Sequence, residues 1–139
     1  MELNFLARLP KGEDILKAIT DEFLSRSIKT GSFVLIGALT KVVIGFYDPI
    51  DRRYSFREFH GAHEIISCVG NISEKDGQIF AHAHIVVSDH NLQCLGGHLG
   101  EGSLIFAAEL FGTESSGPVM VRQYDEATGL MLWTKTSVD

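Results

Sequence analysis

Three histidines in the middle of the chain are the residues best suited to chemistry. The stretch FAHAHIVVSDHNLQCLGGHLGEG, from Phe80 to Gly102, carries them as His82, His84 and His98 among apolar residues, glycines and a few acids. On a β-strand, side chains two residues apart point to the same face, so the His-x-His pair can reach a common ion. Zinc accepts imidazole nitrogen at about 2.0–2.1 Å, and a three-histidine site leaves the fourth position to water or substrate.

His98 is the natural third ligand if the chain reverses direction before it. A reversal near residues 89–91 would place its strand beside that of the other two histidines, and Gly96 and Gly97 would let the backbones approach closely. In the alternative interpretation the histidines are packed or hydrogen-bonded without a metal, because a lone His-x-His pair is a weak signal. The sequence predicts a zinc site at the three histidines, with a structural role for them as the alternative.

Glu64 is the candidate catalytic residue. It opens the apolar segment EIISCVG, where a carboxylate is costly unless it is paired. One interpretation makes it a hydrogen-bond partner of a liganding histidine or a proton carrier near the ion. The other turns it toward solvent on a half-exposed strand, and the residues alone do not decide between the two.

One helix and many strands must position these residues. Residues 4–9 are expected to form a first strand, and Glu13 and Asp14 to lie in the first turn of a helix that is capped near Gly31. The buried stripe of this helix is predicted from four apolar residues at helical spacing, Ile15, Ala18, Ile19 and Phe23, with Leu16 and Leu24 widening it. The rest of the chain is rich in β-branched residues and turns. This pattern predicts a single α+β domain over residues 1–139, a mainly antiparallel β-sheet with one early amphipathic helix.

The strands are expected to be numerous. RRYSFREFH and HEIISCVGNISEK are predicted as separate strands, and LQCLGG as a brief one before His98. Lys75-Asp76-Gly77 is a strong hairpin signal, since it suits a turn whose central residues have positive φ.

Charge and composition restrict the partners and the compartment. The net charge of −6 argues against wrapping a phosphate backbone, and the densest basic group, Arg52, Arg53 and Arg57, is diluted by acids. Cys68 and Cys94 lie far apart in apolar runs, so both are expected to be buried free thiols, as in a reducing cytoplasm. No signal peptide and no apolar run of about 18 residues is visible, so we expect a cytoplasmic protein that does not enter a membrane.

Five segments in order resemble the PPC domain (plants and prokaryotes conserved domain). They are PKGEDILKAI, TGSFVLIGAL, HEIISCVGNIS, AHAHIVVSD and GGHLGEG, and the resemblance runs from about residue 5 to residue 133. It implies a mainly antiparallel sheet flanked by an early helix, and a homotrimer. Some prokaryotic members also resemble acetolactate decarboxylase, a zinc enzyme, in fold. His82, His84 and His98 stand where members of this family carry their expected metal ligands.

The same resemblance bears on DNA. Plant members carry AT-hook motifs before the domain, whereas this chain has no Arg-Gly-Arg-Pro segment and looks like the stand-alone prokaryotic type, whose members are labelled predicted DNA-binding proteins. Without an AT-hook, DNA is not the expected partner of this chain. The expected function is a homotrimeric assembly or binding module with zinc at the three histidines and room for a small-molecule ligand. The alternatives are a zinc enzyme acting on a small carboxylated or carbonyl substrate, and DNA binding by the trimer itself. The residues do not decide whether the protein is an enzyme.

Overall fold

A computed structural model describes residues 4–134, which form one helix and eight strands. In chain order the elements are β1 (Asn4–Leu9), α1 (Ile15–Ser25), β2 (Gly31–Asp48), β3 (Arg53–Lys75), β4 (Gln78–Ser88), β5 (Cys94–Leu99), β6 (Leu104–Glu114), β7 (Val121–Asp125) and β8 (Leu130–Trp133). No helix within the described residues is both long enough and apolar enough to cross a membrane.

The sheet closes on itself around four strands. β2 pairs with β3, β3 with β4 and β4 with β5, and β5 returns to β2 at the pairs Ile44–Leu99 and Gly45–His98. The other half of β2 pairs with β6, which also carries β1. These pairings are antiparallel, whereas β7 joins the end of β3 in parallel and pairs with β8. The fold is therefore a mainly antiparallel sheet with one helix, as predicted, and the closure makes it barrel-like, which was not predicted.

The hydrophobic core lies between α1 and one face of this sheet. The helix packs against β1, β4 and β6, and its buried residues are the four that define the predicted stripe: Ile15, Ala18, Ile19 and Phe23. Leu16 is partly buried beside them, but Leu24 is 51% exposed, so the stripe is narrower on that side than predicted. From the sheet, buried residues of β1 to β6 point into the same core, among them Ala83 and Ile85 of β4. The opposite face of β4 is left free to carry polar side chains.

The ends of the helix differ from the prediction. Glu13 and Asp14 precede the first turn, and the Asp14 carboxylate caps it by accepting a hydrogen bond from the Lys17 amide at 3.1 Å. A capping carboxylate must lie outside the helix to reach the free amides of its first turn. The helix ends at Ser25, well before Gly31, because Ser27 already adopts a φ of 61°. Gly31 instead begins β2.

The strands are longer than the sequence suggested. The two segments predicted as separate strands form the single β3 of 23 residues, since Gly61, with a φ of 92°, bends the strand without ending it. The predicted hairpin is present, and both Asp76 and Gly77 have positive φ there. Cys68 is buried as expected, but Cys94 is exposed because it begins β5 directly after a turn.

Candidate metal centre

His82 and His84 lie on the outer face of β4. Their neighbours Ala81 and Ala83 are buried in the core on the opposite face, which fixes the strand and directs both imidazoles outward. His82 is half-buried and His84 is exposed. The alternation of small buried residues with histidines therefore places two imidazoles side by side, as the sequence predicted.

His98 joins them from the neighbouring strand. β4 and β5 are antiparallel, and His84 is directly opposite His98 in their register. The approach of β5 depends on glycine: a Cβ at Gly96 would lie 2.5 Å from the Ile85 carbonyl oxygen, and one at Gly97 would lie 2.7 Å from that of Gly45. Real Cβ atoms do not come this close, so larger residues would push β5 away and His98 with it.

The three imidazoles are close enough to share one ion. One nitrogen from each ring can be chosen so that all lie within 4.8 Å of one another, and the ring centroids are 5.1 to 5.8 Å apart. A tetrahedral zinc ion with bonds of about 2.0–2.1 Å needs its ligand atoms about 3.3 Å apart. Small side-chain rotations close this gap, so the donor set fits a zinc ion in number, chemistry and position.

The electrostatic setting of His82 and His98 favours the neutral imidazole, which is the form that binds metal. Burial, followed by the positive charge of Arg122 and the two other histidines, lowers the pKa of His82 to about 4. Burial and then His84 lower the pKa of His98. The Nδ1 atom of His98 is buried and has no hydrogen-bond partner among residues 4–134. A buried polar atom without a partner is costly, and an ion would relieve that cost.

Arg122 is a part of this site that sequence reasoning missed. It lies on the short strand β7, is only 6% exposed, and has its Nη2 atom 3.5 Å from Nδ1 of His82. Tyr54 is the other missed neighbour, with its ring 4.6 Å from that of His98. Nothing in the local sequence singles out either residue, because both reach the histidines only through strand pairing.

The other candidate residues stand apart from the cluster. Glu64 is exposed and pairs with Ser88, four residues along β4 from His84, so its catalytic role stays a prediction. His63 is buried with its Nδ1 atom 2.9 Å from a backbone oxygen, and His90 is exposed in the turn after β4. Within the described chain, only His82, His84 and His98 form a metal-binding group of three or more His, Cys, Asp or Glu residues.

Two archaeal structures resemble the whole chain closely. The metal-containing protein AF0104 from Archaeoglobus fulgidus is 35% identical, with a TM-score of 0.91 over 96% of this chain and 94% of that one. A plant- and prokaryote-conserved (PPC) protein from Pyrococcus horikoshii is 33% identical, with a TM-score of 0.91 over 97% and 93%. No curated protein matches the chain.

More distant structures share the fold. A protein from Bacteroides thetaiotaomicron, described as a "putative DNA-binding protein", is 27% identical, with a TM-score of 0.84 over 94% of this chain and 90% of that one. Acetolactate decarboxylase from Bacillus subtilis is 12% identical, with a TM-score of 0.58 over 81% of this chain and 52% of the enzyme, which is a likeness of fold alone. The family profile of the Plants and Prokaryotes Conserved (PCC) domain matches residues 3–116. The chain therefore belongs to the PCC domain family.

Proposed function

We propose that this protein is a self-assembling zinc-binding module, with His82, His84 and His98 as the ligands of one ion. The observation that carries the proposal is the convergence of three imidazoles, one of which has a buried Nδ1 atom with no hydrogen-bond partner among residues 4–134. The archaeal relative that is described as metal-containing supports it. An all-imidazole set suits zinc, and three protein ligands leave a coordination position for a small molecule. When bound, the ion would supply a Lewis acid at the outer face of β4.

Metal content is the direct test of this centre. Untagged protein, purified without chelator, should contain about one zinc per chain by plasma mass spectrometry, and the double variant H82A/H84A should contain almost none. His90→Ala is the matched control, because it removes an exposed histidine from a turn outside the cluster. Zinc-free wild-type protein that takes up no zinc when it is added back would overturn the proposal.

A row of apolar side chains supports the assembly part of the proposal. Residues directly opposite each other in paired strands point to the same face. Following the registers across β1, β6, β2, β3, β4 and β5 gives one continuous outer row: Leu6, Phe111, Val34, Val69, His84 and His98. Its four apolar members are each at least 46% exposed. An apolar strip of this kind on a protein surface is typical of an interface, and it leads directly to the histidines.

The partner that fits this strip is a second copy of the chain. The family resemblance implies a homotrimer, and an exposed apolar row on the outer sheet face is suited to contact between identical subunits. Light scattering should therefore give the mass of three chains for the wild type. Val34→Asp should shift this mass toward that of one chain, whereas Leu92→Asp, an 82% exposed residue in the β4–β5 turn, should leave it unchanged. A monomeric wild type would refute the assembly.

DNA binding is the alternative that the names of some relatives suggest. The Bacteroides relative carries that description, but the present chain has a net charge of −6. Non-specific DNA binding draws its affinity from many Lys and Arg contacts and weakens steeply with salt. We therefore expect no gel shift of duplex DNA at low salt. A shift that disappears as salt is raised would favour DNA binding by the assembled protein.

A further inference from the structure

A cavity lined by positive charge opens beside the histidines. Its volume is about 310 Å³, and His82 and His98 form part of its wall. Four of the chain's 12 lysines and arginines line it: Arg52, Arg53, Lys75 and Arg122. No aspartate or glutamate is among the lining residues that the structure describes. In a chain of net charge −6, this concentration of cations calls for an explanation.

Arg122 is the most constrained of these cations. Its guanidinium donates hydrogen bonds to the Ser73 hydroxyl at 2.8 Å, to the Asn71 side-chain oxygen at 2.8 Å and to the Met131 carbonyl at 3.0 Å. It also lies between the rings of Phe80 and Trp133, at 5.6 and 5.5 Å from their centroids. These contacts hold the guanidinium plane in one orientation at the wall of the cavity.

The Arg122 charge is buried without a counter-charge. Among residues 4–134 it forms no ion pair with a carboxylate. A buried charge normally has an ionic partner, because neutral hydrogen bonds recover only part of the lost hydration. The three short hydrogen bonds use one N–H donor on each of the three guanidinium nitrogens, and Nη2 also makes a long contact of 3.5 Å with Nδ1 of His82. One N–H of Nη1 is therefore without a partner among the described residues, and the second N–H of Nη2 is held only by that long contact. Two such donors on a fixed plane match the two oxygens of a carboxylate or phosphate.

The structure assigns this cavity as a binding site for the carboxylate or phosphate group of a small molecule, with Arg122 as its anchor. Lys75 adds positive charge to the cavity wall, whereas the charge of Arg53 is partly offset by its ion pair with Asp51 at 3.6 Å. Residues 130–132 of β8 add an apolar wall suited to a short carbon skeleton. The volume lies within the range of small-molecule sites. The anchoring arginine is on β7, beyond residues 3–116 that match the family profile, so this site is not implied by family membership.

The anion and the metal should bind cooperatively. Nη2 of Arg122 is 3.5 Å from Nδ1 of His82, so an anion held by the guanidinium would also lie near an ion at the histidines. A dication there attracts the anion, and by linkage the anion tightens metal binding by the same factor. This second part rests on the proposed metal centre, whereas the anion site itself does not.

Titration calorimetry at constant ionic strength tests both parts. Inorganic phosphate and malonate are titrated separately into zinc-free and zinc-loaded protein, and whichever binds more tightly identifies the preferred anionic group. Arg122→Gln should weaken binding about tenfold or more, as expected for the loss of charge-assisted hydrogen bonds. Lys29→Gln removes the same charge from an exposed position that does not line the cavity, and should change the affinity less than about twofold.

A second variant and a comparison of zinc-free with zinc-loaded protein separate the possible outcomes. If Arg122→Gln does not fold, Lys75→Gln replaces it. Lys75 lines the cavity and has no carboxylate partner among the described residues, so its loss should weaken anion binding by about threefold. Zinc-free protein that binds neither anion, or an Arg122 variant that binds as the wild type does, would overturn the anion site. Anion binding that is equal with and without zinc would overturn only the cooperativity. Anion binding by a protein that takes up no zinc would support the pocket and refute the metal centre.

Discussion

His84→Ala is the most informative single change, because it removes a proposed metal ligand without disturbing the core. The His84 side chain is exposed, so its loss leaves no cavity. Without zinc, the variant should have the same free energy of unfolding as the wild type to within about 0.5 kcal/mol. A four-ligand zinc site is worth about 10–16 kcal/mol, so one ligand contributes about 3 kcal/mol. The variant should therefore bind zinc roughly 100-fold more weakly than the wild type.

Thermal unfolding with and without zinc measures this loss. At a free zinc concentration that saturates the wild type, a site that binds zinc 100-fold more weakly gives up to about 2.7 kcal/mol less stabilisation by zinc. For a domain of this size, that amounts to roughly 8 °C of the zinc-dependent rise in Tm. His90→Ala should keep the full rise. An His84→Ala variant that gains as much from zinc as the wild type would show that His84 is not a ligand.

Three further predictions follow from the same geometry. Gly97→Ala should destabilise the protein by about 1–3 kcal/mol in urea and lower its zinc content, because the added Cβ would lie 2.7 Å from the carbonyl oxygen of Gly45. Burial lowers the pKa of His82 to about 4, so the unfolded state binds more protons between pH 6.5 and 4. The free energy of unfolding of the zinc-free protein should therefore fall by about 1–2 kcal/mol as pH falls through this window, after a discount for the partial exposure of His82. Urea unfolding that gives the same free energy throughout this pH range would contradict the prediction. A thiol reagent should label one cysteine per native chain, since Cys94 is exposed while burial of Cys68 raises its pKa to about 12; labelling of both would be inconsistent with the fold.

The helix and the strand that carries the His-x-His pair were predictable because local patterns determine them. Four apolar residues at helical spacing specify the buried face of α1, and the alternation of alanine with histidine on β4 specifies which side each residue takes. The ends of elements were less predictable. Asp14 caps the helix rather than joining it, and Gly61 bends β3 rather than ending it, because pairing with β2 continues on both sides of the glycine.

The sequence by itself determined which residues could bind a metal and that two of them share one strand face. It also indicated that His98 lies on the next strand, through the turn and glycines before it. Only the tertiary structure decided that β5 returns to β2, that Glu64 stands apart from the histidines, and that Arg122 lies against His82. Residues 82 and 122 are far apart in the chain, and pairing between β3 and β7 brings them together. Such contacts depend on strand order and register, which local propensity does not specify.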